Sequence, residues 1–378
     1  MSKILERVVS KTTVSDILNI LIKLPGTDLQ SLLLEVYRNK AKKLEVKNVV
    51  EKADKSKFVT PASISQRDLV AFDKVAYDSL PNDFEPVELS PVAPFGINSV
   101  LGGICQNGVL TTTRNVEVVG DPTSSLSSLC SQRRKVLLDL NHKNCERVSL
   151  ATSHRIIRQQ SFKGKEGYTP HFRLFSLATG GRDVGSKIFE KEVALKHLFF
   201  YLRLLDELNE LTKYQVNDVT VTFSDVRIIE SLMLKYQIDK LKLIKKSRDR
   251  EYSIFTDYGV QLPSFIRNLD ELSQDLCFEY GVEKPITLLM IIEKSVVKSL
   301  EKLFPHVTFA FDLERLEGVG YYSDLCFRVT GKNSEQKVFR LVGGGMTDWT
   351  QKMLNSKKER FFAGAMGSEL FCKFFKDK

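Results

Sequence analysis

The sequence lacks the short spacings on which metal and redox centres are built. Its six cysteines (Cys105, Cys130, Cys145, Cys277, Cys326 and Cys372) lie far apart, and none forms a CxxC or CxxH pair. Neither a zinc site nor a redox dithiol is indicated, and in a reducing compartment such cysteines serve as small buried hydrophobes. The five histidines include no HExxH-like cluster, so no bound metal is expected. No apolar run approaches the ~20 residues that span a bilayer. The start, MSKILERVVSKTT, scatters charge among its apolar residues and has no small-residue cleavage site. No secretory signal is read there, so a cytoplasmic location away from membranes is expected. Internal repeats and low-complexity tracts are missing as well.

What is present is an ordinary globular composition, with 42% hydrophobic and 27% charged residues in a chain of 378. That length allows two or three domains, or one large core with additions. The formal net charge of +9 invites a nucleic-acid reading. The basic runs are dispersed, however, near residues 40, 131–135, 246 and 358, as solvated helix faces are. RNA is therefore a weaker expectation as partner than a small molecule.

Residues 1–84 read as a helical N-terminal region. SDILNILIKL and the stretch after Pro25-Gly26 have helical apolar spacing, and Ser65 is placed to cap a third helix. Residues 85–378 read as one core. A proline- and glycine-bearing segment (83–103) suits short extended pieces. A turn at Gly120-Asp121-Pro122 then leads into a helix capped by Asp121 or Thr123. Two strands follow, joined by a polar Gly/Lys loop near 158–170, and then a long amphipathic helix over 190–211. Residues 226–282 read as a helical insertion between strands. The last seventy residues alternate strand, glycine turn, strand, triple glycine, strand and a final helix.

Several of these stretches resemble the motifs of class II aminoacyl-tRNA synthetases of the histidyl type, in the family's order. RQQSFKGKEGYTPHFRLFSL (158–177) is similar to the motif in which Arg-x-Glu leads through a loop to His/Arg-x-x-x-Phe. VVGDPTSSL (118–126) is similar to the Glu-Gly-Thr segment, and LEGVGYYSDL (316–325) to Arg-Gly-Leu-Asp-Tyr-Tyr. VGGGMTDW (342–349) and AGAMGSEL (363–370) are similar to Gly-Gly-Gly-Arg-Tyr-Asp and Gly-x-Gly-x-Glu-Arg. The resemblance covers roughly residues 85–375. It implies an α+β fold, a mixed and mainly antiparallel sheet flanked by helices, and pairing into a homodimer near residues 86–94.

The resemblance also implies roles. Arg158 would meet the α-phosphate of ATP, and Phe175 would stack on adenine, with Gln160 and His171 beside them. Asp121 and Thr123 would hold the α-amino group of an amino acid, although an Asp-Pro turn with a Thr cap reads equally well from the residues alone. Tyr321, Tyr322, Gly344, Gly345, Asp348 and Glu369 complete the ligand-binding set. The departures matter as much. The family's catalytic arginine position holds Glu317, with Arg315 two residues before it as a substitute. Met346 and Thr347 replace the pair that reads histidine, and Leu370 replaces the arginine that clamps the γ-phosphate. Eight residues after Leu370 the sequence ends, without the anticodon-binding domain of histidyl synthetases.

No cofactor is fixed by the residues; ATP and magnesium are what the resemblance implies for an active member. The leading expectation is a paralogue that binds an amino acid or related small ligand without charging tRNA, on the pattern of a regulatory subunit with a protein partner. The alternatives are an ATP-dependent ligase acting on a non-tRNA acceptor, and an RNA-binding or assembly scaffold.

Overall fold

A computed structural model describes residues 3–11, 16–45, 51–53, 55–102, 106–159, 168–246 and 252–376. Three helices come first: α1 (Lys3–Ser10), α2 (Ile17–Lys23) and α3 (Gly26–Ala41). Neither α2 nor α3 carries a buried residue. Helix α4 (Gln66–Asp78) differs. Ser65 caps it by accepting from the Arg67 amide, and Leu69, Phe72 and Ala76 enter the main core. This apolar stripe makes α4 part of the packing on the sheet.

The strands are β1 (Phe84–Pro86), β2 (Val92–Pro94), β3 (Val116–Val118), β4 (Val148–Ile157), β5 (His171–Arg182), β6 (Asn217–Asp225), β7 (Phe265–Ile266), β8 (Thr308–Asp312), β9 (Leu325–Lys332), β10 (Val338–Thr347) and β11 (Glu359–Met366). Nine of them form one sheet in the order β1-β4-β5-β11-β10-β9-β6-β8-β7, and β2 pairs with β3 apart from it. Only β1/β4 and β6/β8 are parallel pairings within that sheet. The mixed, mainly antiparallel α+β architecture is thus as expected. Between β6 and β8 lie helix α7 (Arg227–Lys235), several shorter turns of helix and α8 (Glu283–Ile292), with α6 (Ile188–Leu211) preceding β6.

One face of the sheet is covered by α4 and α6. Strand alternation decides which side chains go there. On β5, Arg173 reaches Asp73 of α4 at 2.8 Å, and Phe175 is fully buried against Phe72 and stacked on Phe200 of α6. Helix α5 (Pro122–Leu140) lies on the other face, where Leu126 and Cys130 pack on Leu150, Ala178 and Phe361. A buried fork fixes it there: Arg134 Nε and Nη2 donate to the two oxygens of Glu359 at 2.9 and 3.0 Å. Removing either partner would leave an uncompensated buried charge, at a cost of about 3–5 kcal/mol. The fork therefore sets where the N-terminus of α5, with Asp121, stands over the sheet.

Candidate functional site

The face beside the N-terminus of α5 holds a cleft of about 350 Å³. Its floor is Leu174 of β5, Ala363 to Ala365 of β11, and Gly343 and Thr347 of β10. Its walls are Asp121, Thr123, Arg158 and the 315–322 loop between β8 and β9.

Asp121 is extended (φ −151°, ψ 114°) as the cap of α5. Its Oδ1 accepts from the Thr123 amide at 2.9 Å and from the Thr123 hydroxyl at 2.7 Å. Its Oδ2 accepts from the Tyr321 hydroxyl at 3.0 Å, and the two hydroxyls stand 2.9 Å apart. Burial and the Asp121 charge push the Tyr321 pKa well up, so the phenol stays a proton donor. Asp121 is thus a helix cap, and the same carboxylate, with the Thr123 and Tyr321 hydroxyls, lies in the cleft lining. Arg158 closes this corner. Its Nε donates to the Gly120 carbonyl at 2.8 Å, its Nη2 is 3.7 Å from Asp121 Oδ2, and its guanidinium lies 5.7 Å from the Phe172 ring centre.

The 315–322 loop is shaped by Gly318, at φ +101°. A β-carbon there would stand 2.4 Å from the Tyr322 ring, so only glycine fits. Tyr321 and Tyr322 meet edge to face at 4.9 Å, and Trp349, 1% exposed, packs under Tyr321 as part of the core and not at the pocket edge. Glu317 pairs with Arg328 and Arg340. Burial alone would raise its pKa, but these two guanidinium groups outweigh burial and hold it low. Arg315, 8% exposed, is in the turn after β8 and not on a strand; its Nε donates to the Glu317 carbonyl at 3.1 Å.

Other expected site residues lie elsewhere. Phe175 is in the core, because β5 turns residues 172 and 174 to the cleft and residue 175 away from it; Phe172 and Leu174 are the ones on the cleft side. His171 is behind the sheet too, accepting at Nδ1 from Arg155 and donating from Nε2 to the Thr60 carbonyl at 2.7 Å. Glu369 opens the final helix α9 (Ser368–Phe374), where it pairs with Arg155 and Lys373 at 2.7 Å each. Asp348 pairs with Lys352 beyond the cleft. Gly344 and Gly345 are close-packed by protein: β-carbons there would meet Phe327 and the Ala363 carbonyl, or the Leu325 carbonyl and Cys326. Gly343 is the glycine that faces open space. Gln160 lies outside the described residues.

Sequence reasoning passed over Gly343 and Leu174, and it named Thr347 only as a departure from the family's pattern. Alternation from any one cleft residue on β10 or β5 would have found them. Of the residues expected around ATP, Arg158 lines the cleft, whereas Phe175 is in the core and Leu370 offers no charge. Among the described residues no cluster of three His, Cys, Asp or Glu is placed to hold a metal.

The fold is the one seen in the core of class II aminoacyl-tRNA synthetases of the histidyl type. Two solved structures share it. One is an ATP phosphoribosyltransferase regulatory subunit/histidyl-tRNA synthetase from Bacillus halodurans C, at TM-score 0.57 and 12% identity, covering 84% of this chain and 83% of that one. The other is the histidyl-tRNA synthetase from Nostoc sp. PCC 7120, at TM-score 0.56 and 13% identity, covering 83% and 73%. At such identities the likeness is one of fold. By sequence, no family model and no curated protein matches the chain.

Proposed function

We propose that this protein binds an amino acid, or a close relative, in the α5 cleft without charging tRNA, and that it acts as a regulatory subunit toward a protein partner. The observation that carries the reading is the Asp121–Thr123–Tyr321 triangle. One carboxylate and two hydroxyl oxygens converge on a small cleft with a cation beside them. An ammonium group needs several oxygen acceptors and a compensating negative charge. Arg158 stands where a ligand carboxylate would complete the pair. Against adenylation stand Glu317, a negative charge where positive charge would stabilise a developing phosphorane, and Leu370.

The same fold in a protein titled as a regulatory subunit supports the partner-protein part of the reading. A homodimer and a cytoplasmic location belong to the proposal as well. Among the described residues no helix is long and apolar enough to cross a membrane. For the dimer, the support is that β1 is the edge strand of the sheet.

The rival reading, ATP-dependent activation for a non-tRNA acceptor, rests on Arg158 and its aromatic neighbour Phe172. Thermal stability measured against the twenty amino acids, each with and without ATP and magnesium, tests the proposal. One amino acid alone should raise the melting temperature by several degrees. A shift that requires ATP, with amino-acid-dependent exchange of pyrophosphate into ATP, would establish the rival. No shift with any ligand would remove both small-molecule readings and leave RNA or a protein partner.

A further inference from the structure

The far end of the cleft contains a cation without an anion. Arg315 is 92% buried, counting from its 8% exposure, and lines the cleft beside Gly343. Its Nε is satisfied by the Glu317 carbonyl, but its Nη1 is buried with no hydrogen-bond partner. Among the described residues no carboxylate comes within ion-pair distance of it; Asp312 and Glu317 act on it only through space. The nearby Glu317 carboxylate is taken by Arg328 and Arg340. A second buried polar atom, the Thr347 hydroxyl, also lines the cleft and also has no partner. Buried guanidinium groups are normally paired, and an arginine of a cleft lining that lacks a carboxylate partner is what an anionic ligand group would satisfy, with a small side-chain adjustment to bring its unmet Nη1 to the ligand.

We propose that the ligand is a dicarboxylic amino acid, whose second carboxylate docks on Arg315 and Thr347 while its ammonium group meets Asp121, Thr123 and Tyr321. This rests on the amino-acid reading given above and narrows it. Charge supports the choice. Four charged residues line the cleft: Asp121, Arg158, Arg315 and Glu317. With Glu317 held by its own two arginines, one negative and two positive charges remain. Their complement is one ammonium and two carboxylates. Spacing fits a small molecule, because Asp121 contacts Tyr321 while the Arg315 guanidinium lies 5.8 Å from the ring of adjacent Tyr322.

The test is calorimetric titration of the full chain with L-aspartate, L-glutamate, L-asparagine and L-glutamine, followed by the same titrations of Arg315→Met and Arg315→Lys. One acid should bind at least about tenfold tighter than its own amide, since the amide cannot form the charge-assisted pair. Arg315→Met should reduce that preference to within about twofold, and Arg315→Lys should keep part of it. If another amino acid binds and neither acid is preferred over its amide, the inference is overturned while the amino-acid reading stands. If no amino acid binds, both fail. Should Arg315→Met not fold, the acid–amide comparison on the unmodified protein already decides the matter.

Discussion

Glu369, behind the sheet, has both its oxygens within ion-pair distance of a cation, Arg155 and Lys373, whereas Arg315, in the cleft lining, has no carboxylate within ion-pair distance among the described residues. The two clusters lie on opposite faces of one sheet. On the helix-covered face, Arg155 bonds to His171 and, with Lys373, balances the charge of Glu369, which ties β4, β5 and α9 together. On the cleft face the charges are left for something else to complete. On the account proposed here, the first cluster serves folding and the second serves a ligand.

Breaking the Glu369 cluster should show this most strongly. Glu369→Ala leaves Arg155 and Lys373 without their counter-charge and should cost about 3 kcal/mol of stability, read from urea unfolding. Ligand affinity of the folded fraction should hardly change. The reverse is expected of Asp121→Asn. It keeps a cap of similar quality but removes the charge, so affinity should fall about a hundredfold, roughly 2.7 kcal/mol, with stability altered by well under 1 kcal/mol. A large stability loss in Asp121→Asn, or a binding loss in Glu369→Ala, would break the comparison.

Acid sharpens it from the side of the shared core. His197 is fully buried between the rings of Phe84 and Phe362, bonded to the Thr179 hydroxyl at 2.9 Å. Burial, with a smaller push from Lys196, lowers its pKa from 6.5 to about 3. Below pH 6.5 the unfolded chain takes up this proton and the folded chain does not. The stability is therefore complete above 6.5 and is lost as the pH falls toward 3. Between pH 6.5 and 5 the loss should approach about 2 kcal/mol, and His197→Gln should flatten that slope by one proton. Equal slopes in the two proteins would contradict it. The smallest effect is expected of Tyr321→Phe, which deletes one hydroxyl of the triangle and should weaken ligand binding about five- to tenfold, roughly 1–1.4 kcal/mol. An unchanged affinity would remove Tyr321 from the site.

Much of the architecture was legible in the residues. The Gly120-Asp121-Pro122 turn, the Ser65 cap, the strand pair at 148–182 and the glycine-bearing strands after 305 all follow local rules that the packing did not override. The site was legible where a residue acts through its own turn, as Asp121 and Thr123 do. It was not where one position decides the face. Phe175 and Phe172 are both aromatic residues of one strand, and only the register against β4 and α4 shows which meets the cleft. Gly343 and Gly344 differ in the same way. Arg315 was weighed as a strand neighbour of Glu317, but its position comes from the turn after β8 and its unmet Nη1 from long-range packing, neither of which leaves a local mark. Helix α4 was legible as a helix, but a short amphipathic stripe does not reveal what it packs against.

The central claim is that the cleft takes an amino acid on its own account, without nucleotide. Its most direct test is calorimetric titration of the stabilising amino acid into the protein with and without saturating ATP and magnesium. The account predicts the same dissociation constant, within about twofold, in both titrations. Binding that appears only in the presence of ATP would contradict it.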